Sequence, residues 1–165
     1  MMKKFKSLST SRKISFIVFS LLTLFILWFI FSHSAKPAAE SSADSEGLSH
    51  MVAELINKLF NSSLTSDDTV WWVRTFAHFA EFTALTFCVS ASIESIAENN
   101  KANFIISFPF GVITAFCDET IQTFFEGRAF QISDIFIDSL GSISGIIFFA
   151  LVLKIILCFK KERNG

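Results

Sequence analysis

Four long apolar runs constrain this chain more than anything else in it, at about 14–31, 72–93, 102–125 and 132–158. The first, ISFIVFSLLTLFILWFIF, carries no charge over 18 residues. As a helix it crosses most of a hydrocarbon core about 30 Å thick. Backbone in lipid must satisfy its own hydrogen bonds, so only helices and closed barrels span a bilayer. Runs of this length, rich in Phe, Ile and Leu, fit spanning helices better than strands. The sequence therefore predicts an all-α fold, an integral membrane four-helix bundle with a short outer amphipathic helix. It is one domain over 14–158, between a basic N-terminus at 1–13 and a basic tail at 159–165.

The first run resembles a cleavable leader only in its basic start. Its apolar core exceeds the 7–15 residues usual for a signal peptide, and His33 stands three before the likeliest cut. It is read as an uncleaved helix.

Loop charges orient the bundle, because cytoplasmic segments carry the excess of Lys and Arg. Lys3, Lys4, Lys6, Arg12 and Lys13 precede the first run, and Lys154, Lys160, Lys161 and Arg163 close the last against Glu162. The loop at about 34–71 holds only Lys36 and Lys58 against six acidic residues. Both termini are thus expected in the cytoplasm and the long loop outside. The 94–101 connection, with Glu94, Glu98 and Lys101, falls inside. Trp28, Trp71 and Trp72 fall at the outer boundary, where an aromatic belt places them.

The outer loop divides in two. AKPAAESSADSEG is small and polar, which predicts a flexible segment. LSHMVAELINKLF then sets Leu48, Met51, Val52, Leu55, Ile56, Leu59 and Phe60 at helical spacing. Such a helix packs on the outer ends of the bundle or lies in the interface; a lid over a polar site is the sharper alternative.

Charges interrupt the last three runs. An ionisable group at membrane depth costs about 2.5–3.5 kcal/mol on insertion scales, which makes these residues the candidates for function. VRTFAHFAEF carries Arg74, His78 and Glu81, and CDETIQTFFEGRAFQISDIFIDSLGSISG carries Asp118, Glu119, Gln122, Arg128, Asp134 and Asp138. With the loop outside, all three helical groups occupy the outer leaflet. At about 100° per residue, Arg74, His78 and Glu81 fall within one arc of about 60°. Asp118 and Gln122 share a face, with Glu119 about 100° around; Asp134, Asp138, Gly141 and Gly145 share another. Gly141-x-x-x-Gly145 suits close helix approach rather than chemistry.

The stripes hold five carboxylates against Arg74, Arg128 and His78. Two guanidinium groups do not neutralise five acids, so some carboxylates share protons, bind a metal or meet a cationic ligand. Arg74 and Arg128 could hold two acids, or grip a phosphate or carboxylate from outside. His78 or Glu81 could serve as base, with Asp118, Glu119 and Asp138 as acids or ligands and Arg74, Gln122, Arg128 and Asp134 binding substrate. A divalent metal is compatible with this set, although its spacing matches no standard metal motif.

Each group has a plainer explanation. His78 could pack and hydrogen-bond between helices, Glu119 could pair with an arginine, and Asp134 could cap its helix with Ser133 as a rival. The whole set could be a structural network, but eight polar side chains in one leaflet are costly for packing alone. Other chemistry is set aside. No Tyr exists among 165 residues, and no Gly-rich phosphate loop, Gly-x-Ser-x-Gly or HExxH pattern occurs. Cys88, Cys117 and Cys158 lie in helices, outside any disulfide framework, with Cys117 read as core. The short basic termini are topology signals, not nucleic-acid arms.

The same residues carry a family resemblance. WFIFSHSAKPAAESSADSEG, VRTFAHFAEF and DETIQTFFEGRAFQISDIFIDSLGSISG resemble the VanZ-like membrane proteins over about 25–147. The specific part is D-E-x-x-Q, then G-R, then D-x-x-x-D-x-x-G-x-x-x-G. The family's polar pattern falls on Arg74 (often Lys), His78, Glu81, Asp118, Glu119, Gln122, Arg128, Asp134 and Asp138. Phe82 stands where the family usually has Tyr, and Ile121 where His often precedes the Gln. The second departure weakens any mechanism that needs two histidines. The resemblance implies a protein of the bacterial cell membrane, from a family whose founding member is linked to low-level glycopeptide (teicoplanin) resistance.

Three functions compete. One is an outward-facing enzyme acting on a lipid-linked or peptidoglycan-related substrate. Another is a non-catalytic binder of an envelope precursor or a glycopeptide. A small transporter fits least, because the inner halves of the helices lack charges.

Overall fold

The computed structural model describes residues 8–97 and 100–163. Lys3, Lys4 and Lys6 lie outside these residues, as does part of the 94–101 connection. Among the described residues five helices follow one another: α1 (Thr10–Ser34), α2 (Ala38–Phe60), α3 (Ser66–Ala97), α4 (Asn100–Gln122) and α5 (Ile132–Arg163). No strand occurs among the described residues. Four stretches of the described residues are long and apolar enough to cross a membrane: Thr10–Ser34, Ser66–Ala97, Asn103–Gln122 and Ile132–Glu162. The chain is a multi-pass, all-helical membrane protein with the expected four spans, although the second is longer than its apolar run and the third ends at Gln122, short of 125.

α3 is the hub of the bundle. It packs most extensively on α5 and also touches α1, α2 and α4. Large apolar residues point outward along every span, among them Leu21, Leu24, Phe25, Phe76, Ile105, Ile113, Phe136, Leu151 and Ile155. Lipid solvates such side chains as well as a core does, so helix association rests on close packing and interhelical hydrogen bonds. The buried apolar cluster is accordingly small: Ile30, Phe82, Leu85 and Ala115, flanked by Ile26, Leu27, Phe31, Phe110 and Ile135. Phe82 is fully buried in this cluster and, as a phenylalanine, needs no hydroxyl partner there.

The α3–α5 seam shows what the glycines do. A Cβ on Gly141 would meet the Phe79 carbonyl oxygen at 2.5 Å, and one on Gly145 would run into the Thr83 carbonyl. Thr83 Oγ1 donates to Gly141 O at 3.1 Å and Thr86 Oγ1 to Ser142 O at 2.9 Å. Small residues thus bring two backbones close enough for hydroxyls to cross between them. On the α3–α4 seam Ser90 Oγ donates to Ser107 Oγ at 3.1 Å, and Asn103 Nδ2 to Ser90 O at 3.0 Å. At the same end of the bundle, Arg12 donates to the carbonyls of Ser95 (2.9 Å) and Glu94 (2.8 Å). A guanidinium there satisfies carbonyls of the last turns of α3 and complements its dipole.

The outer connection departs from expectation. The AAESSADSEG stretch, expected to be flexible, is the first half of α2, which extends to 23 residues. Pro37 precedes its first turn, Ala38 N donates to Glu126 O at 3.0 Å, and Lys36 Nζ reaches Asp44 at 2.6 Å. Alanine-rich, proline-started segments need little more to become helical once their first turn is anchored. That lysine contact holds the Lys36 ammonium above, and the Asp44 carboxyl below, its ordinary pKa. The small residues Ser49 and Ala53 are the ones buried, and Ser49 O accepts from Thr69 Oγ1 at 2.8 Å. Leu48, Met51, Leu55, Leu59 and Phe60 face away from the bundle. Asn61, left-handed at φ 53°, ends α2. Thr65 N and Oγ1 both donate to Asp68 Oδ2, which begins α3 with a capping arrangement.

Candidate functional site

α3, α4 and α5 each contribute one group to a single polar cluster. His78 comes from α3, Asp118 from α4 and Asp138 from α5, and one ligand atom from each lies within 4.8 Å of the others. Asp118, Glu119 and Asp138 are fully buried, and Gln122 is nearly so.

The carboxylates are treated unequally. Asp118 accepts from Ser34 Oγ and, through Oδ2, from Gln122 Nε2 at 2.9 Å. Glu119 accepts from Gln122 Nε2 at 3.0 Å and from Gln131 N at 2.7 Å. Glu119 therefore does not pair with an arginine, as its position off the main face allowed. It closes the turn into α5 instead. Asp138 has no donor for either oxygen among the described residues, and His78 Nδ1 also lacks a partner. The two face each other at 3.8 Å, beyond hydrogen-bond distance.

The 123–131 turn carries the arginine. Phe124 N and Phe125 N donate back to Ile121 O and Gln122 O, and Arg128 N donates to Phe125 O at 3.2 Å. Gly127 takes φ 75°, and a Cβ there would stand 3.1 Å from that of Ala38. That backbone suits glycine and returns Arg128 to the site, where its Nε donates to Gln122 Oε1 at 3.0 Å. Arg128 Nη1 is buried with no hydrogen-bond partner among the described residues. Burial and the nearby Arg74 charge lower the Arg128 pKa, which leaves a guanidinium still charged at neutral pH. Among the described residues no ion pair within 4 Å joins Arg74 or Arg128 to a carboxylate.

Beside the cluster opens a cavity of about 240 Å³ between α3 and α5. Arg74, His78, Asp134 and Asp138 supply its polar lining, with Gln131 at the turn and Trp71 and Ile137 on its apolar sides. No α2 residue lines it, so α2 is not a lid in this conformation. Asp134 sits in the first turn of α5 and accepts from Ser133 Oγ at 3.1 Å. Neither residue caps that helix, because the first backbone bonds run from Asp134 N and Ile135 N to Gln131 O. Gln131 takes the cap position.

The structure brings Arg74, His78, Asp118, Gln122, Arg128, Asp134 and Asp138 around one locus. Glu81 is the outlier. It is half-buried a turn below His78, close enough to Asp118 to feel its charge, but it lines no part of the cavity. Ser34 and the Gln131 N–H were missed. Ser34 lies in the segment shared with the family yet has no charge to draw notice, and a backbone donor leaves no trace in sequence. Cys117, expected in the core, is exposed on the outer face of α4, as is Cys158 on α5; only Cys88 is buried. No two of these cysteines form a disulfide.

The VanZ/LLP1 family model matches residues 19–154, a range that contains every residue of this site. No curated protein and no solved structure matches the chain.

Proposed function

The chain belongs to the VanZ/LLP1 family, and from that premise we propose a bacterial cell-membrane protein whose polar site faces the cell exterior. Both basic termini lie in the cytoplasm. The site takes an anionic, lipid-linked or peptidoglycan-related ligand. One observation carries the reading: two arginines stand beside the site with no acidic partner within 4 Å among the described residues, next to a cavity open between two lipid-facing helices. A guanidinium with unused donors is suited to phosphate or carboxylate. Trp71 and Ile137 in the lining, with Phe76 and Phe136 exposed nearby on the same helices, suit the start of a lipid chain.

In the enzymatic form of this reading Arg74 and Arg128 hold the anionic group, while Gln122 and Asp134 orient it. His78 is placed to accept a proton, with Glu81 behind it, and Asp118, Glu119 and Asp138 supply acid and electrostatic support. The second form is a non-catalytic binder of an envelope precursor or a glycopeptide. The surplus of carboxylates favours it, since they suit an amine on the ligand. Transport has less support, because Ser90, Asn103 and Ser107, not charges, occupy the other end of the α3–α4 seam.

Alanine substitution at His78, Asp118, Asp134 and Asp138, followed by lipid and muropeptide analysis of the envelope, tests the reading. An altered envelope product that disappears in all four variants supports the enzyme. Unchanged envelope chemistry with altered teicoplanin sensitivity supports the binder. If neither quantity moves, both forms are wrong.

A further inference from the structure

We propose that His78, Asp118 and Asp138 bind one divalent transition-metal ion, Zn²⁺ or Mn²⁺, at the base of the α3–α5 cavity. This deepens the preceding reading and rests on it in taking the cavity as the working site. Three observations point to a cation. Asp138 is 0% exposed, and neither of its oxygens meets a hydrogen-bond donor among the described residues. His78 Nδ1 likewise has no hydrogen-bond partner among the described residues and lies 3.8 Å from Asp138 Oδ1. Asp118 brings the third ligand, so atoms from three helices lie within 4.8 Å of one another.

Ligands bound at about 2.1 Å around a tetrahedral ion lie about 3.4 Å apart, so closing on a metal needs only small side-chain rotations. Two carboxylates with one imidazole form a mixed O/N set, which suits Zn²⁺ or Mn²⁺ better than the all-oxygen shells of Ca²⁺. Their charges balance a divalent ion when His78 is neutral. The surroundings also fit. Ser34 and Gln122 hold the Asp118 carboxylate from behind, as outer partners commonly orient a ligating acid. Three protein ligands leave at least one position open, on the side where His78 and Asp138 line the cavity. Arg74, at the same cavity, then remains free to meet an anionic group lying against the metal. A proton held between His78 and Asp138 is the competing occupant.

The test uses the full-length chain in detergent, stripped with chelator, loaded with ZnCl₂ or MnCl₂ and gel-filtered before elemental analysis. The expected result is about one ion per chain for the wild type and for Arg74→Gln. The content should fall to about a tenth or less in His78→Gln and Asp138→Asn, since each loses a ligand. Folding of each variant is read from its gel-filtration profile and helical circular dichroism. The ion should raise the unfolding midpoint of the wild type and leave that of the two variants unmoved. Equal metal content in folded wild type and folded variants would overturn the site. A well-folded wild type that holds neither ion, while the alanine series still alters the envelope, overturns the metal alone and leaves the exterior ligand site standing. Stoichiometric metal that is lost in the variants supports the site even where the envelope does not change.

Discussion

Gln122 is the smallest part on which the site depends. Its amide gives Nε2 to both Asp118 and Glu119, and its Oε1 receives Arg128 Nε. One neutral side chain thereby links two buried acids to a half-buried cation. Gln122→Ala leaves these groups short of partners, and a deleted partner to a buried charged group costs about 1–3 kcal/mol. The prediction is a lower midpoint in chemical unfolding of the detergent-solubilised protein, with Gln122→Glu lower still because it sets a further carboxylate beside two. A midpoint unchanged in Gln122→Ala would show that water replaces the amide. At this scale the sequence was most legible where charge was involved. An aspartate or arginine inside an apolar run declares itself by its cost. Ser34 does not, since serine is common in spanning helices and its contact with Asp118 depends on where α1 ends.

The elements that place these groups are α3 and α5. Gly141 and Gly145 allow the contact, and Thr83 and Thr86 bond across it. Gly145→Val inserts a branched side chain where a Cβ already meets Thr83, Thr86 and Phe87. Overpacking of a tight contact costs about 1–3 kcal/mol. The variant should therefore melt earlier than Ser144→Val, whose residue bonds only within its own helix. A melting temperature equal to that of Ser144→Val would show that the seam yields easily. Gly127→Ala meets the same logic at the turn. A left-handed backbone costs an L-residue about 1–2 kcal/mol, and Ala38 stands close by. The expected outcome is a modest loss of stability, read by unfolding. The Gly-x-x-x-Gly spacing showed in the sequence that α5 makes a close contact, but not that its partner is α3. The first half of α2 was not visible, because its small polar residues also suit a loop and its anchor, Glu126 O, lies far along the chain. Cys117 was misplaced because its neighbour Asp118 points inward, and one residue along a helix turns the face by about 100°.

At the scale of the whole molecule, polarity is sorted along the bundle. Arg12 and the serine and asparagine seam occupy one end, while the acid cluster, both arginines and α2 occupy the other. The proposal puts the second end outside. Gly47 on α2 has nothing within 4 Å of a built Cβ, so Gly47→Cys should be tolerated. With Cys88, Cys117 and Cys158 replaced, this variant should react with a membrane-impermeant maleimide on intact cells. Reaction only after lysis would reverse the orientation. Span number and approximate position were readable, because lipid permits few solutions to a run of apolar residues; the helix bounds were not, since α3 begins at Ser66 and α4 ends at Gln122. The packing order of the helices was not readable, since apolar faces toward lipid and toward protein look alike in sequence.

The threonine–glycine seam has a consequence for the chemistry above it. His78 and Asp138 are 60 positions apart in the chain, and their separation is set by how far α5 has slid along α3. One helical turn of slippage is about 5.4 Å, more than the whole span of the cluster. Gly141, Gly145 and their hydroxyl partners therefore act as a vernier scale cut into the two rods. The mark at which Thr83 reads Gly141 is the setting at which the imidazole and the bare carboxylate come opposite each other.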